Sequence, residues 1–98
     1  MPSKVSSETI RASLLKLHAD WSLNTDSDTI HRIFKFENYY QTMAFANSVA
    51  WIAHQHNHHP NMLIAYKTCR VDFSTHSVGG LSELDFNCAQ TVDKLISK

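Results

Sequence analysis

The stretch from Glu37 to about His58 carries the longest run of regular apolar spacing in the chain, and it runs into a proline at position 60. Tyr39, Met43, Ala46, Ala50 and Ala53 share one helical stripe, and Phe45, Val49, Ile52 and His56 share the adjoining one. At about 100° per residue, the two stripes cover roughly half of a helix circumference. The small, alanine-rich stripe permits close approach of a sheet or another helix. Pro60 disfavours helical geometry at His59, so the spacing predicts a helix that stops at or just before that residue.

The rest of the chain falls into shorter elements around this one. Ser6 or Ser7 can cap a first helix with Ile10, Leu14 and Leu17 on its apolar side. Trp21 and Leu23 alternate with polar neighbours, Asn24 to Asp28 is turn chemistry, and Ile30, Arg32, Phe34 and Phe36 alternate again. That pattern predicts a hairpin, with Arg32 as an exception on its inner face. Met62 to Tyr66 reads as a third strand, Lys67-Thr68 as a tight turn, and Cys69 to Ser74 as a fourth strand with Val71 and Phe73 inward. After the Gly79-Gly80 break, Ser82 and Asp85 have the spacing of a capping box, flanked by Leu81 and Phe86 as a hydrophobic staple. Phe86, Ala89, Val92 and Ile96 continue the apolar face of a last helix. The expected order, α-β-β-α-β-β-α, makes an α+β two-layer sandwich: a four-stranded antiparallel sheet with three helices on one face. With 98 residues, the chain is expected to form one domain over 1–98.

Charge narrows the function. Acidic and basic residues balance to a formal net charge of zero, and no two Lys or Arg residues are adjacent. Nucleic-acid binders usually carry a basic stripe, so direct DNA or RNA contact is not expected. No apolar run is long enough to span a bilayer, and Met1 to Glu8 lacks the apolar core of a signal peptide. Cys69 and Cys88 are far apart with no CxxC pattern and read as reduced thiols. A cytoplasmic protein without a membrane partner is expected.

Four of the seven histidines lie in His54-Gln55-His56-Asn57-His58-His59-Pro60, and His76 follows in Ser74-Thr75-His76. Imidazole exchanges protons near neutral pH and also binds metals. Within a continuous helix His54 and His58 would share a face, four residues apart. His59 would sit at the helix–strand corner and His76 just past the last strand, so the two hairpins could bring them to one cleft. Two opposed imidazoles suit elimination or hydration, one protonating a departing hydroxyl while the other removes a proton from the neighbouring atom. A zinc site of His54, His58 and His76 is the competing arrangement. A third is structural, with histidines serving as satisfied polar residues at a helix end. His56 continues the apolar stripe and reads as structural, as do His18 and His31 at boundary positions. Asp85 is explained by its cap alone or by a role at the site.

The motif formed by His54, His58-His59-Pro60, Tyr66, His76 and Asp85 resembles the signature of the pterin-4a-carbinolamine dehydratase family. Ser74-Thr75-His76 and Gly80-Leu81-Ser82-Glu83 are similar to family stretches as well, and the likeness runs over nearly the whole chain. It implies dehydration of 4a-hydroxytetrahydrobiopterin to quinonoid dihydrobiopterin and water, in tetrahydrobiopterin recycling, without a metal or organic cofactor. It implies His58 and His76 as the acid/base pair, His59 positioning the pterin, and substrate contacts from His54, Pro60, Thr75, Ser77, Val78 and Asp85. It also implies homodimers or homotetramers. The family includes non-catalytic members, some similar to Rubisco assembly factors and others to a transcriptional dimerisation cofactor, which is the alternative reading. Relatives often carry Glu where this chain has His54.

Overall fold

The computed structural model describes residues 2–24, 26 and 28–96. Its elements follow the expected order: α1 (Ser7–Leu15), β1 (Ser22–Leu23), β2 (Ile30–Lys35), α2 (Tyr39–His56), β3 (Asn61–Ile64), β4 (Thr68–Phe73), a short 3-10 turn (His76–Val78) and α3 (Glu83–Asp93). Ser6 caps α1, its hydroxyl accepting from Thr9 N at 3.2 Å. In the β1–β2 turn, Asn24 Oδ1 accepts from the backbone N–H groups of Asp28 and Thr29. Thr25 and Ser27 of that turn lie outside the described residues.

All strand pairs are antiparallel, in the order β1-β2-β4-β3. The two hairpins therefore join through the central β2–β4 pair, where Arg32 stands opposite Val71 and Ile30 opposite Phe73. Strand alternation sends Ile30, Arg32 and Phe34 from β2, and Cys69, Val71 and Phe73 from β4, to the helix-covered face. Phe73, Ile30 and Val71 are wholly buried, each contributing about 1.5–3 kcal/mol relative to exposure. Phe34 packs its ring 4.5 Å from that of Phe45 on α2, and Trp21 lies 6.1 Å from Phe73.

Three details differ from the sequence expectation. The buried face of α2 is Thr42, Phe45, Ala46, Val49, Ile52 and Ala53, whereas Tyr39 and Ala50 of the alanine-rich stripe are exposed. Tyr39 instead stacks on Tyr66 with ring centroids 6.0 Å apart. The third strand ends at Ile64 rather than Tyr66, because Ala65 N bonds Thr68 O at 2.8 Å and closes the turn early. Finally, α2 begins at Tyr39, where Asn38 caps it, and ends at His56 rather than beside His59. That last shift shapes the site.

Candidate functional site

The helix α2 is stopped by Asn57, ahead of any effect of Pro60. Asn57 adopts φ 50° and ψ 43°, the left-handed region that asparagine tolerates better than most residues. Asn57 N then bonds His54 O at 3.2 Å and His58 N reaches Ala53 O at 3.0 Å, the paired bonds of a Schellman motif. His58 therefore does not share a helical face with His54. The reversal turns it into the interior, where it is 8% exposed and stacks on Phe73 with ring centroids 6.0 Å apart and planes 13° apart. His54 stays on the exposed helix surface, stacked on Trp51.

A single carboxylate ties the inward histidine to the β4 end. Asp85, in the first turn of α3, is wholly buried. Its Oδ1 accepts from His58 Nε2 at 2.6 Å, and its Oδ2 accepts from Thr75 Oγ1 at 2.8 Å and from Ser82 N at 2.9 Å. Thr75 has one hydroxyl proton and gives it to Asp85, so the 2.7 Å contact between Thr75 Oγ1 and Ser82 Oγ has Ser82 as donor. Ser82 Oγ in turn accepts from Leu84 N at 3.3 Å. The capping box and the His58 contact are thus one network: Asp85 caps α3 and also holds the imidazole. A buried carboxylate at a helix N-terminus is favoured by the backbone dipole, and three donors satisfy it.

This network sets the tautomer of His58. With Nε2–H donating to a carboxylate, Nδ1 is the nitrogen left for other partners.

The other expected residues lie on the segments that flank this anchor in the chain. His59 is exposed, in the extended segment before the half-buried Pro60. His76 and Ser77 are exposed and Val78 half-buried on the 3-10 turn, which is closed by the Thr75–Gly80 bridge and by Gly79 at φ 66°. Since Asp85 binds both His58 and Thr75, the histidine corner and the segment leading to His76 are held together. Thr75 and Asp85, expected to touch substrate, do not offer it their side chains: they are 4% and 0% exposed and their polar atoms are engaged. Phe73 and Ser82 enter the site unannounced by the signature, Phe73 through its ring and Ser82 through its hydroxyl.

Among the described residues, no three His, Cys, Asp or Glu side chains are grouped to hold a metal ion. His54, His58 and His76 of the zinc arrangement are not grouped: His54 stays on the exposed surface of α2 while His58 is turned into the interior. His56 donates Nδ1–H to Ile52 O at 2.9 Å, the structural use expected of it. Burial, and after it the Asp85 carboxylate one turn away, pushes the Cys88 thiol up to about 11. Cavities of about 460 and 570 Å³ lie elsewhere, along α3; the proton-transfer groups are at the histidine corner, and the site is assigned there.

An antiparallel α+β sandwich of this kind is a fold that known proteins share. The family model described as pterin 4 alpha carbinolamine dehydratase matches residues 3–95. A Nitrosomonas eutropha protein provisionally named pterin-4-alpha-carbinolamine dehydratase is 53% identical over 83 residues, 85% of this chain and 72% of that one. A Legionella pneumophila protein of the same provisional name is 46% identical over 92 residues, 94% of this chain and 81% of that one. The crystal structure of a transcriptional coactivator/pterin dehydratase from Brucella melitensis superposes with a TM-score of 0.91 at 26% identity, covering 97% of this chain and 100% of that one. A pterin dehydratase-like protein identified as a RuBisCO assembly factor in the alpha-carboxysome shares the fold, with a TM-score of 0.69 at 23% identity over 83% of this chain and 94% of that one. The chain belongs to the pterin-4a-carbinolamine dehydratase family.

Proposed function

We propose that this chain dehydrates 4a-hydroxytetrahydrobiopterin to quinonoid dihydrobiopterin and water, in the cytoplasm, as a step of tetrahydrobiopterin recycling. The observation that carries the reading is His58, with Nε2 held on the buried Asp85 carboxylate and Nδ1 left for another partner. In the reaction the C4a–O bond breaks and the hydroxyl leaves as water after taking a proton. The N5–H proton is removed and its electron pair forms the C4a–N5 double bond, so no electrons are exchanged with a partner. His58 Nδ1 serves as the base, held in its tautomer by Asp85, and the exposed His76 as the acid. His59, extended before Pro60, positions the pterin, with the exposed His54 and Ser77 and the half-buried Val78 and Pro60 along its edge.

The same reading makes the chain a homodimer or homotetramer. Tyr40 and Trp51 are exposed on α2, at 83% and 61%, and Leu63 on the edge strand β3 at 69%. Unpaired edges and exposed aromatics are surfaces that a second copy covers. Light scattering at micromolar concentration is expected to give a dimer or tetramer, and an 11.2 kDa species would contradict it. No helix is long and apolar enough to cross a membrane among the described residues.

The reaction itself is tested by measuring carbinolamine dehydration with purified protein. His58→Ala and His76→Ala are each expected to lose on the order of 10²- to 10⁴-fold in rate while staying folded. The double variant should lose less than the product of the two, as for groups acting as a unit. A wild-type protein without dehydratase activity, or near-wild-type rates in both single variants, would sink the proposal.

A further inference from the structure

Arg32 lies on the helix-facing side of β2, where strand alternation places apolar residues, and it is 7% exposed. A guanidinium carries five N–H donors. Among the described residues Arg32 makes one hydrogen bond, from Nη1 to Asp93 Oδ1 at 2.8 Å. Its Nε is buried without a partner. Nη2 approaches Asp20 only to 3.8 Å, beyond hydrogen-bond range, and Asp20 is 65% exposed, so solvent screens it. Asp93 has little more to offer. Trp21 Nε1 donates to both of its oxygens, at 2.9 and 3.0 Å, and His18 N approaches Oδ2 at 3.5 Å. Phe34 covers the guanidinium plane, with Cζ 4.4 Å from its ring centroid.

This under-bonded cation borders a cavity of about 570 Å³, also lined by Lys16, His18, Gln90 and Asp93. Lys16 has no ion-pair partner among the described residues. His18 Nδ1 accepts from Asp20 N at 3.1 Å, which leaves Nε2–H as the ring's donor. Gln90 adds an amide. Two cations and two neutral donors thus face one carboxylate that is already shared among three N–H groups. A buried cation lacking acceptors is costly, and an incoming oxyanion supplies what the protein does not. Asp93 closes α3, whereas Asp85 opens it, so the cavity stands about 12 Å along the helix from the histidine anchor.

We infer that this cavity is an oxyanion-binding site, taking a phosphate or carboxylate group between Arg32 Nη2 and Lys16 Nζ. Gln90 and His18 Nε2 flank the bound group. The ligand class is a small anion or a larger molecule presenting such a group, and the inference is independent of the dehydratase reading.

The test is titration calorimetry of the full chain with inorganic phosphate and with acetate, at ionic strength matched with chloride. One saturable site per chain is expected for at least one of them. Tighter phosphate identifies phosphate-bearing ligands, and tighter acetate identifies carboxylates. Lys16→Gln, on the exposed end of α1, should weaken binding about tenfold, the size of one charge-assisted hydrogen bond. Arg32→Met should abolish it; if that variant does not fold, Lys16→Gln decides. Binding should persist in His59→Ala and His76→Ala. Absence of saturable binding by either anion, unchanged affinity in Lys16→Gln, or loss of binding in the histidine variants would each overturn the assignment.

Discussion

Helix α3 holds a carboxylate at each end, the wholly buried Asp85 and the half-buried Asp93, and the two are bonded in opposite ways. Asp85, in the first turn, sits where the helix dipole favours a negative charge and collects neutral donors from Thr75 and Ser82 besides His58. Its network is closed, and what it fixes is one oriented imidazole. Asp93, in the last turn, sits where the dipole disfavours it and is held by Arg32 and Trp21. Its network is open, because Arg32 Nε finds no acceptor among the described residues. A closed polar network fixes geometry, as the proposed proton transfer requires; an open one leaves donors for the anion inferred above. The contrast explains why two similar carboxylates on one helix serve different ends of the molecule.

The sharpest way to break this comparison is to neutralise each carboxylate in turn. Asp93→Asn leaves Arg32 buried without its counter-charge and is expected to cost about 3–5 kcal/mol in urea unfolding, with turnover of the folded fraction kept. Asp85→Asn puts an amide donor or a weaker acceptor against His58 Nε2. It should lower the dehydration rate on the order of 10²-fold, with about 1–3 kcal/mol of stability lost. If Asp93→Asn impairs turnover of the folded protein as much as Asp85→Asn does, the division of labour fails.

Asn57 offers a finer cut, because only its left-handed backbone turns His58 inward. Asn57→Gly should leave activity and stability close to wild type. Asn57→Val should cost about 1–2 kcal/mol and weaken the His58–Asp85 contact, lowering activity in step. Equal melting curves for the two variants would mean that the turn is set elsewhere.

The smallest effect is read in the alkaline limb of stability. Cys88 has a folded value pushed up to about 11, from 9.0, chiefly by burial and then by Asp85, and burial raises Cys69 as well. Between these values the unfolded chain has lost the proton and the folded chain keeps it, so the unfolded state binds fewer protons and stability falls as pH rises. Stability should be flat below about pH 9 and then decline toward pH 11, by up to about 1.4 kcal/mol per pH unit from Cys88 alone. Cys88→Ala should flatten part of that slope in urea melts at pH 8 and 10; an unchanged slope would remove the thiol from the explanation.

Much of this was readable in the chain. Strand alternation marked Arg32 as the polar exception on an inner face, and the structure buries it there. The Ser82–Asp85 spacing announced a capping box, which is present. Proline restriction at His59 predicts a later end for α2 than the structure has, because Asn57 stops the helix two residues earlier. Its own side chain gave the hint: asparagine is one of the few residues that visit the left-handed region readily.

What the sequence determined by itself are the features carried by near neighbours: helical and strand periods, caps, the turn residues, and the spacing of the histidine signature. What only the tertiary structure decided are the pairings between distant residues. His58 and Asp85 are separated by 27 positions, and Arg32 and Asp93 by 61. Whether a carboxylate oxygen meets an imidazole or a backbone N–H depends on how the end of α2, the end of β4 and the start of α3 pack together. Local spacing places each group on its element; burial then forces each group to find a partner, and only the packed core settles which one it meets.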